Sequence, residues 1–200
     1  MIEIGKPAPQ FTTPAYYNGD FTSVSLEDYK GKWVFLYFYP GDFTFVWATE
    51  VAAVAAKHSK FKDLDVEVLA VSVDSIFVHK VWEERELSKM NNDGVPYPML
   101  SDQDGSIGKM YSVYDEENLV NRRGNFIIDP DGILQSIEIL AEPVGRSVSD
   151  TIRKIRALQH VRENEDEAVP CGWKPGEKTL KPGKDLVGNV WNEWKVEEAR

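Results

Sequence analysis

The sequence predicts an α/β fold, with a mixed central sheet flanked by helices and an irregular C-terminal tail. Three observations carry it. The apolar run "WVFLYFYP", starting at Trp33, and the run "VEVLAVSVD", starting at Val66, both read as strands buried on two faces. Segments of helical spacing follow each of them, so the pair forms a βαβ unit that crosses over right-handed onto a parallel sheet. Further on, "GNFIID-PDG-ILQSIEIL" is two apolar runs joined by a Pro-Asp-Gly turn, which predicts an antiparallel hairpin.

Taken in order, "EVAAVAAKHSKF" repeats Val51, Val54, Ala55, His58 and Phe61 at helical spacing. Ser75 is the expected N-cap of a second helix, "SIFVHKVWEERELSKM". "GVPYPML" and "SDQDGSIGKMYSVYD" read as a short strand and a helix. After the hairpin, "SVSDTIRKIRALQHVREN" closes the compact part as a helix with Ile152, Ile155 and Leu158 on one face. Such a mixed sheet has a thioredoxin-like arrangement as one solution.

The compact domain is expected over residues 1–162 and the tail over 163–200. The tail begins at an acidic run, "ENEDE", and continues rich in Pro, Gly and Lys. Its Trp173, Leu180, Leu186, Val187, Val190, Trp191 and Trp194 need a surface to cover, on this subunit or on another, and another subunit is the favoured one.

Composition narrows the function. The 200 residues are 42% hydrophobic and 28% charged, ample for a core and incompatible with disorder of the whole chain. A net charge of −10 opposes attraction to nucleic acid or an anionic membrane. No apolar run is long enough to span a bilayer, and no secretory leader is visible at the N-terminus. With Cys171 the single cysteine, no intrachain disulfide can form, and a reducing, cytoplasmic home is expected. His58, His79 and His160 lie on three separate predicted helices, and "DQDG" lacks the glycine and glutamate of a calcium loop. Neither a metal nor a dinucleotide cofactor is expected.

The anomaly lies at "TFVWATE", Thr44 to Glu50, between the first strand and its helix. Such junctions offer unpaired N–H groups and the positive end of the helix dipole. Trp47 occupies it, and an indole is neither nucleophile, acid nor base at neutral pH. Around it the sequence offers Pro40 at the strand end, the hydroxyl of Thr44, and Glu50, expected in the first helical turn. Arg122 and Arg123 stand at the mouth of the "GNFIID" strand. If that strand neighbours the first, a permanent cation faces the helix start, a combination that stabilises a thiolate. Taken singly, Trp47 would be an ordinary core aromatic, Thr44 a cap, Arg123 a surface ion-pair member and Cys171 an inert small hydrophobe; joint spacing lifts them.

"FYPGDFTFVWATE" resembles the active-site segment of the peroxiredoxins, in which a proline, three residues, a threonine, two residues and a cysteine follow in order. Pro40, Thr44 and Trp47 fall on that pattern, and the resemblance extends through "LAVSVDS", "YPMLSD", "RGNFIIDPDG", "EPVGRSV" and "VPCGWKPGEKTLKPG". It is most similar to the typical two-cysteine group, the alkyl hydroperoxide reductase C or thioredoxin peroxidase type. The resemblance implies Trp47 at the place of the peroxidatic cysteine, Thr44 as the peroxide-binding threonine and Pro40 as the shielding proline. It also implies Arg123 as the activating arginine, Arg146 as the second arginine and Cys171 as the resolving cysteine. Ala48 stands where the family usually has proline.

Implied too are a homodimer assembling into a decameric ring, a hydroperoxide substrate, and thioredoxin or a flavoprotein reductase as electron donor. With tryptophan for cysteine, the sulfenic acid and disulfide steps have no atom to occur on. Survival of the surrounding residues favours deliberate replacement of an active nucleophile. The alternative is a non-enzymatic ring-forming pseudoenzyme or holdase. A pocket sized for a thiol is expected to expel the indole and unwind the first helical turn.

Overall fold

In the computed structural model, which describes residues 2–141 and 144–198, a seven-stranded mixed sheet runs in the order β2-β1-β5-β4-β3-β8-β9. Glu142 and Pro143 of "EPVGRSV" lie outside the described residues. The strands are β1 (Thr12–Tyr17), β2 (Asp20–Ser25), β3 (Trp33–Phe38), β4 (Val66–Ser72), β5 (Met99–Ser101), β8 (Arg123–Ile128) and β9 (Leu134–Leu140). A separate two-stranded ribbon joins β6 (Tyr114–Asp115) to β7 (Val120–Asn121).

All six residues of β3 are buried, as their unbroken apolar run requires. It pairs in parallel with β4 and antiparallel with β8, with Leu36 opposite Leu69 and Phe126. This makes β3 a central strand, and the C-terminal end of a central strand is where the chain turns into α1 (Phe45–Ala56). The expected hairpin is present as β8 and β9. Leu36, Phe38, Leu69, Val71, Leu100 and Phe126 belong to the main apolar cluster.

The remaining helices of this part are α2 (His58–Lys62), α3 (Ile76–Trp82), α4 (Ser88–Met90) and α5 (Ser106–Met110). Ser75 caps α3 as expected, accepting a hydrogen bond from the Val78 N–H. A π-helical turn over Glu83–Leu87 joins α3 to α4. The β1–β2 hairpin is an addition to the reading of the sequence. Its signal is Asn18-Gly19, both at positive φ between Tyr17 and Asp20, the two-residue turn that matches strand twist.

The chain divides by its contacts into two units, residues 1–148 and 149–200. The second holds nearly all of α6 (Val148–Glu163) and the segment beyond it, which contains short turns and α7 (Val190–Glu193). Within that unit Trp173 is buried at 3% exposure, its indole N–H bonded to the Glu177 carbonyl and its ring 5.0 Å from that of His160. Trp173 is therefore covered within its own chain, one of the two surfaces the sequence left open. Val187 and Trp191 do stay exposed. Among the described residues, no helix is long and apolar enough to cross a membrane.

Candidate active site

Trp47 is the third residue of α1, whose N-cap is Thr44. Thr44 has extended backbone, and its hydroxyl donates to the Gly41 carbonyl at 2.8 Å instead of accepting from the helix amides. The first intrahelical bond runs from the Ala48 N–H to the Thr44 carbonyl, at 3.4 Å. A proline at position 48 could not make it, so the departure at Ala48 strengthens the first turn.

Because β8 lies beside β3, its first residue, Arg123, reaches the start of α1. Arg123 is 2% exposed, and its guanidinium carbon sits 3.6 Å from the centre of the Trp47 ring. One of its N–H groups also donates to the Val144 carbonyl. Arg122 points elsewhere, to Asp115 on the surface. The two adjacent arginines of the sequence are thus separated by strand alternation, one inward and one outward.

Arg146 forms the second cation of the site. Its guanidinium carbon is 5.9 Å from the Trp47 ring centre. The side chain bonds to Glu50 at 2.7 and 3.1 Å, and to the Phe38 carbonyl, the Gly124 carbonyl and Asn125 Oδ1. Its backbone N–H donates to Glu50 as well, at 2.6 Å. Glu50 is the sixth residue of α1, beyond the first turn where the sequence places it. It is buried, and its role is to fix Arg146 rather than to meet the helix dipole. Arg146 in turn ties together β3, β8 and α1.

Trp47 is 5% exposed in a wound helix. The expected expulsion and unwinding do not occur. The negative face of an indole is a partner for a guanidinium, worth about 0.5–2 kcal/mol according to desolvation. Arg123 is therefore matched by a ring in the place of an anion, and burial of the aromatic adds to it.

Three geometric features thus converge on position 47: the N-terminal turn of a helix, one stacked guanidinium and a second one close by. Thr44 and the end of β3 border it, with Pro40 half-buried. This arrangement holds an anion or polarises an oxygen. A family model described as the AhpC/TSA family matches residues 4–137, and one described as the C-terminal domain of 1-Cys peroxiredoxin matches residues 157–193. The chain is a peroxiredoxin of the AhpC/TSA family.

This peroxiredoxin is 59% identical over 200 residues to the selenocysteine-containing peroxiredoxin PrxU of Peptoclostridium acidaminophilum, covering all of this chain and 98% of that one. It is 42% identical over 192 residues to alkyl hydroperoxide reductase C of Bacillus subtilis, with 95% of this chain and all of that one covered. The reduced crystal structure of Plasmodium vivax 2-Cys peroxiredoxin superposes with a TM-score of 0.86 at 35% identity, over 91% of this chain and 94% of that one. The thioredoxin-like fold is that of these relatives.

One part of the site is not visible in the sequence. Tyr39 and Asp42 on the loop before α1 form a buried network with His79 of α3: the tyrosine hydroxyl donates to Asp42 at 2.8 Å, and His79 Nδ1 lies 2.7 Å from the other carboxyl oxygen. His79 Nε2 faces the Leu100 carbonyl at 3.2 Å, so that nitrogen carries a proton. Burial pushes the Asp42 carboxyl up, opposed by its bonds to His79 and Tyr39. Asp42 also bonds through its N–H to Asp74. The loop includes Phe43 at φ +56°, a strained value for a side chain of that size, with its ring 6.2 Å from Trp82. The signal available in the sequence is an Asp beside the junction and a His on the next helix, too common a pair to single out.

Proposed function

We propose that this peroxiredoxin is the scaffold of a hydroperoxide reductase whose nucleophile belongs at position 47, and that the chain with Trp47 does not turn over peroxide. The observation that carries the reading is Arg123, buried and stacked on residue 47 at the start of α1. A cysteine-type nucleophile there meets a fixed cation and the positive end of a helix, both of which favour its anion. Attack on the terminal oxygen of a hydroperoxide breaks the O–O bond and releases an alcohol or water once the leaving oxygen takes a proton. Arg123 stabilises the charge that moves onto that oxygen, Thr44 and Pro40 border the substrate, and Arg146 is held in place by Glu50.

The rest of the cycle follows the two-cysteine pattern. Residues 163–200 carry Cys171 to a second subunit, where its thiol condenses with the oxidised nucleophile and water leaves. Thioredoxin or a flavoprotein reductase then restores both groups. The working assembly is a homodimer, five of which close a decameric ring, acting in the cytoplasm.

The test is peroxide consumption with a dithiol reductant. The Trp47 chain is expected to be inert and Trp47→Cys active; turnover by the unaltered chain, or a folded but inactive Trp47→Cys, overturns the proposal. A second reading, a pseudoenzyme or holdase, draws on the stable packing of the indole. It requires that the gene itself specify tryptophan.

A further inference from the structure

We infer that residue 47 of the natural gene product is selenocysteine, encoded by UGA, and that Trp47 is this codon read as tryptophan. The inference rests on the proposal that position 47 is the place of the nucleophile, and adds which nucleophile it is.

The surroundings of the tryptophans differ. Trp82 is fully buried, donates its indole N–H to Glu86 and lies 5.9 Å from the Tyr39 ring. Trp173 donates to Glu177 and packs on His160. Each sits among groups that suit an indole. Trp47 sits at a helix start with Arg123 at 3.6 Å and Arg146 at 5.9 Å from its ring centre; the ring face answers the nearer guanidinium, but a helix start with two cations beside it also suits an anion. A selenol is a stronger acid than a thiol and is ionised at neutral pH, so it supplies that anion.

The identity of the intruding residue is informative. A cysteine replaced to silence an enzyme ordinarily becomes serine or alanine, which fit the space of a thiol. Tryptophan has far more volume and no chemical kinship with either. It is, however, the amino acid for which UGA stands in variant genetic codes, and UGG differs from UGA in the third base alone. UGA also specifies selenocysteine. Reading the codon as tryptophan therefore requires no mutation. Reaching UGG from a cysteine codon also needs one base change, but that change abolishes the chemistry while Thr44, Pro40, Arg123, Arg146 and Cys171 all stay in place. The relative that matches the whole chain at 59% identity is a selenocysteine-containing protein.

The chemistry balances without a further group. The selenolate attacks the terminal oxygen of a hydroperoxide; an Se–O bond forms, the O–O bond breaks, and the departing alkoxide takes a proton. Selenium is oxidised by two electrons and the peroxide reduced by two. A thiol, from Cys171 of a second subunit or from a dithiol reductant, then attacks selenium, forming an Se–S bond as water leaves. A dithiol reductant closes the cycle, releasing the selenolate and ending as its own disulfide.

The test starts from codon 47 in the source DNA, followed by expression of the gene with its downstream sequence in a selenocysteine-inserting host. UGA is expected, with stoichiometric selenium in the purified chain and a peptide mass that places it at residue 47. Alkylation of residue 47 is expected to persist to a lower pH than in Trp47→Cys. A UGG, UGU or UGC codon overturns the inference, as does a UGA product containing tryptophan and no selenium. These outcomes are separable from failure of the peroxidase reading: an active Trp47→Cys beside a UGG codon removes selenium and keeps the peroxidase, whereas a folded, inactive Trp47→Cys removes both.

Discussion

Arg123 and Trp47 are both buried, with the guanidinium carbon 3.6 Å from the ring centre, so their attraction is measurable as a coupling. A double-mutant cycle of Arg123→Met and Trp47→Leu by chemical denaturation is expected to return about 1–2 kcal/mol, the desolvated end of the cation–π range. A coupling near zero would mean the stacking is incidental. The same guanidinium acts differently on a thiol. A nearby cation and a helix N-terminus both favour the anion, so the Cys of Trp47→Cys is expected to ionise at least about one pH unit below a free thiol at about 8.5. The midpoint of its alkylation rate against pH gives the value, and adding Arg123→Met should raise it. An unshifted midpoint, or one that ignores Arg123, contradicts the electrostatic role.

The loop before α1 shows what fixes the site at the level of elements. Asp42 accepts from Tyr39 and is hydrogen-bonded to His79 Nδ1, all three buried. Asp42→Ala leaves two buried polar groups without that partner and is expected to lower stability by about 2–5 kcal/mol. Asn can still accept from Tyr39 and donate to a neutral His79, so Asp42→Asn is expected to cost about 1 kcal/mol or less. Equal losses in urea unfolding would show that the charge, not the hydrogen bonding, is what matters. This network also marks the boundary of what is legible in the sequence. Long apolar runs announce β3 and β4, because burial on both faces selects mainly apolar side chains. The Pro130-Asp131-Gly132 turn between two apolar runs announces the β8–β9 hairpin, whose outer strand β9 is only partly buried. The Thr44–Trp47 register and Arg123 are legible because motif spacing survives without coordinates. His79, Asp42 and the Glu50–Arg146 pair are not, since residues distant in sequence meet only through the sheet order. The packing of Trp47 departs from expectation for a related reason: volume is visible in a sequence, while two guanidinium groups waiting on the ring are not.

The wound α1 also bears on the proposed assembly. In the proposed cycle the nucleophile must leave the start of α1 to meet Cys171 of a second subunit, which unwinds the first turn, and an indole held by Arg123 biases α1 toward the wound state. The Trp47 chain is therefore expected to hold its proposed ring at least as well as reduced Trp47→Cys at equal concentration. Sedimentation velocity checks this, and a larger dimer fraction in the Trp47 chain would show that the indole strains the assembly. By the proposed function, the pocket around position 47 is intact and lacks only its nucleophile. The most direct test of this is the second-order rate of hydrogen peroxide consumption by Trp47→Cys, followed beside the Trp47 chain and Trp47→Cys/Arg123→Met. Rapid consumption by Trp47→Cys is predicted, with none by the Trp47 chain and a loss of about a hundredfold or more on removing Arg123. A folded Trp47→Cys that reacts no faster than a free thiol, or a rate indifferent to Arg123, would contradict it.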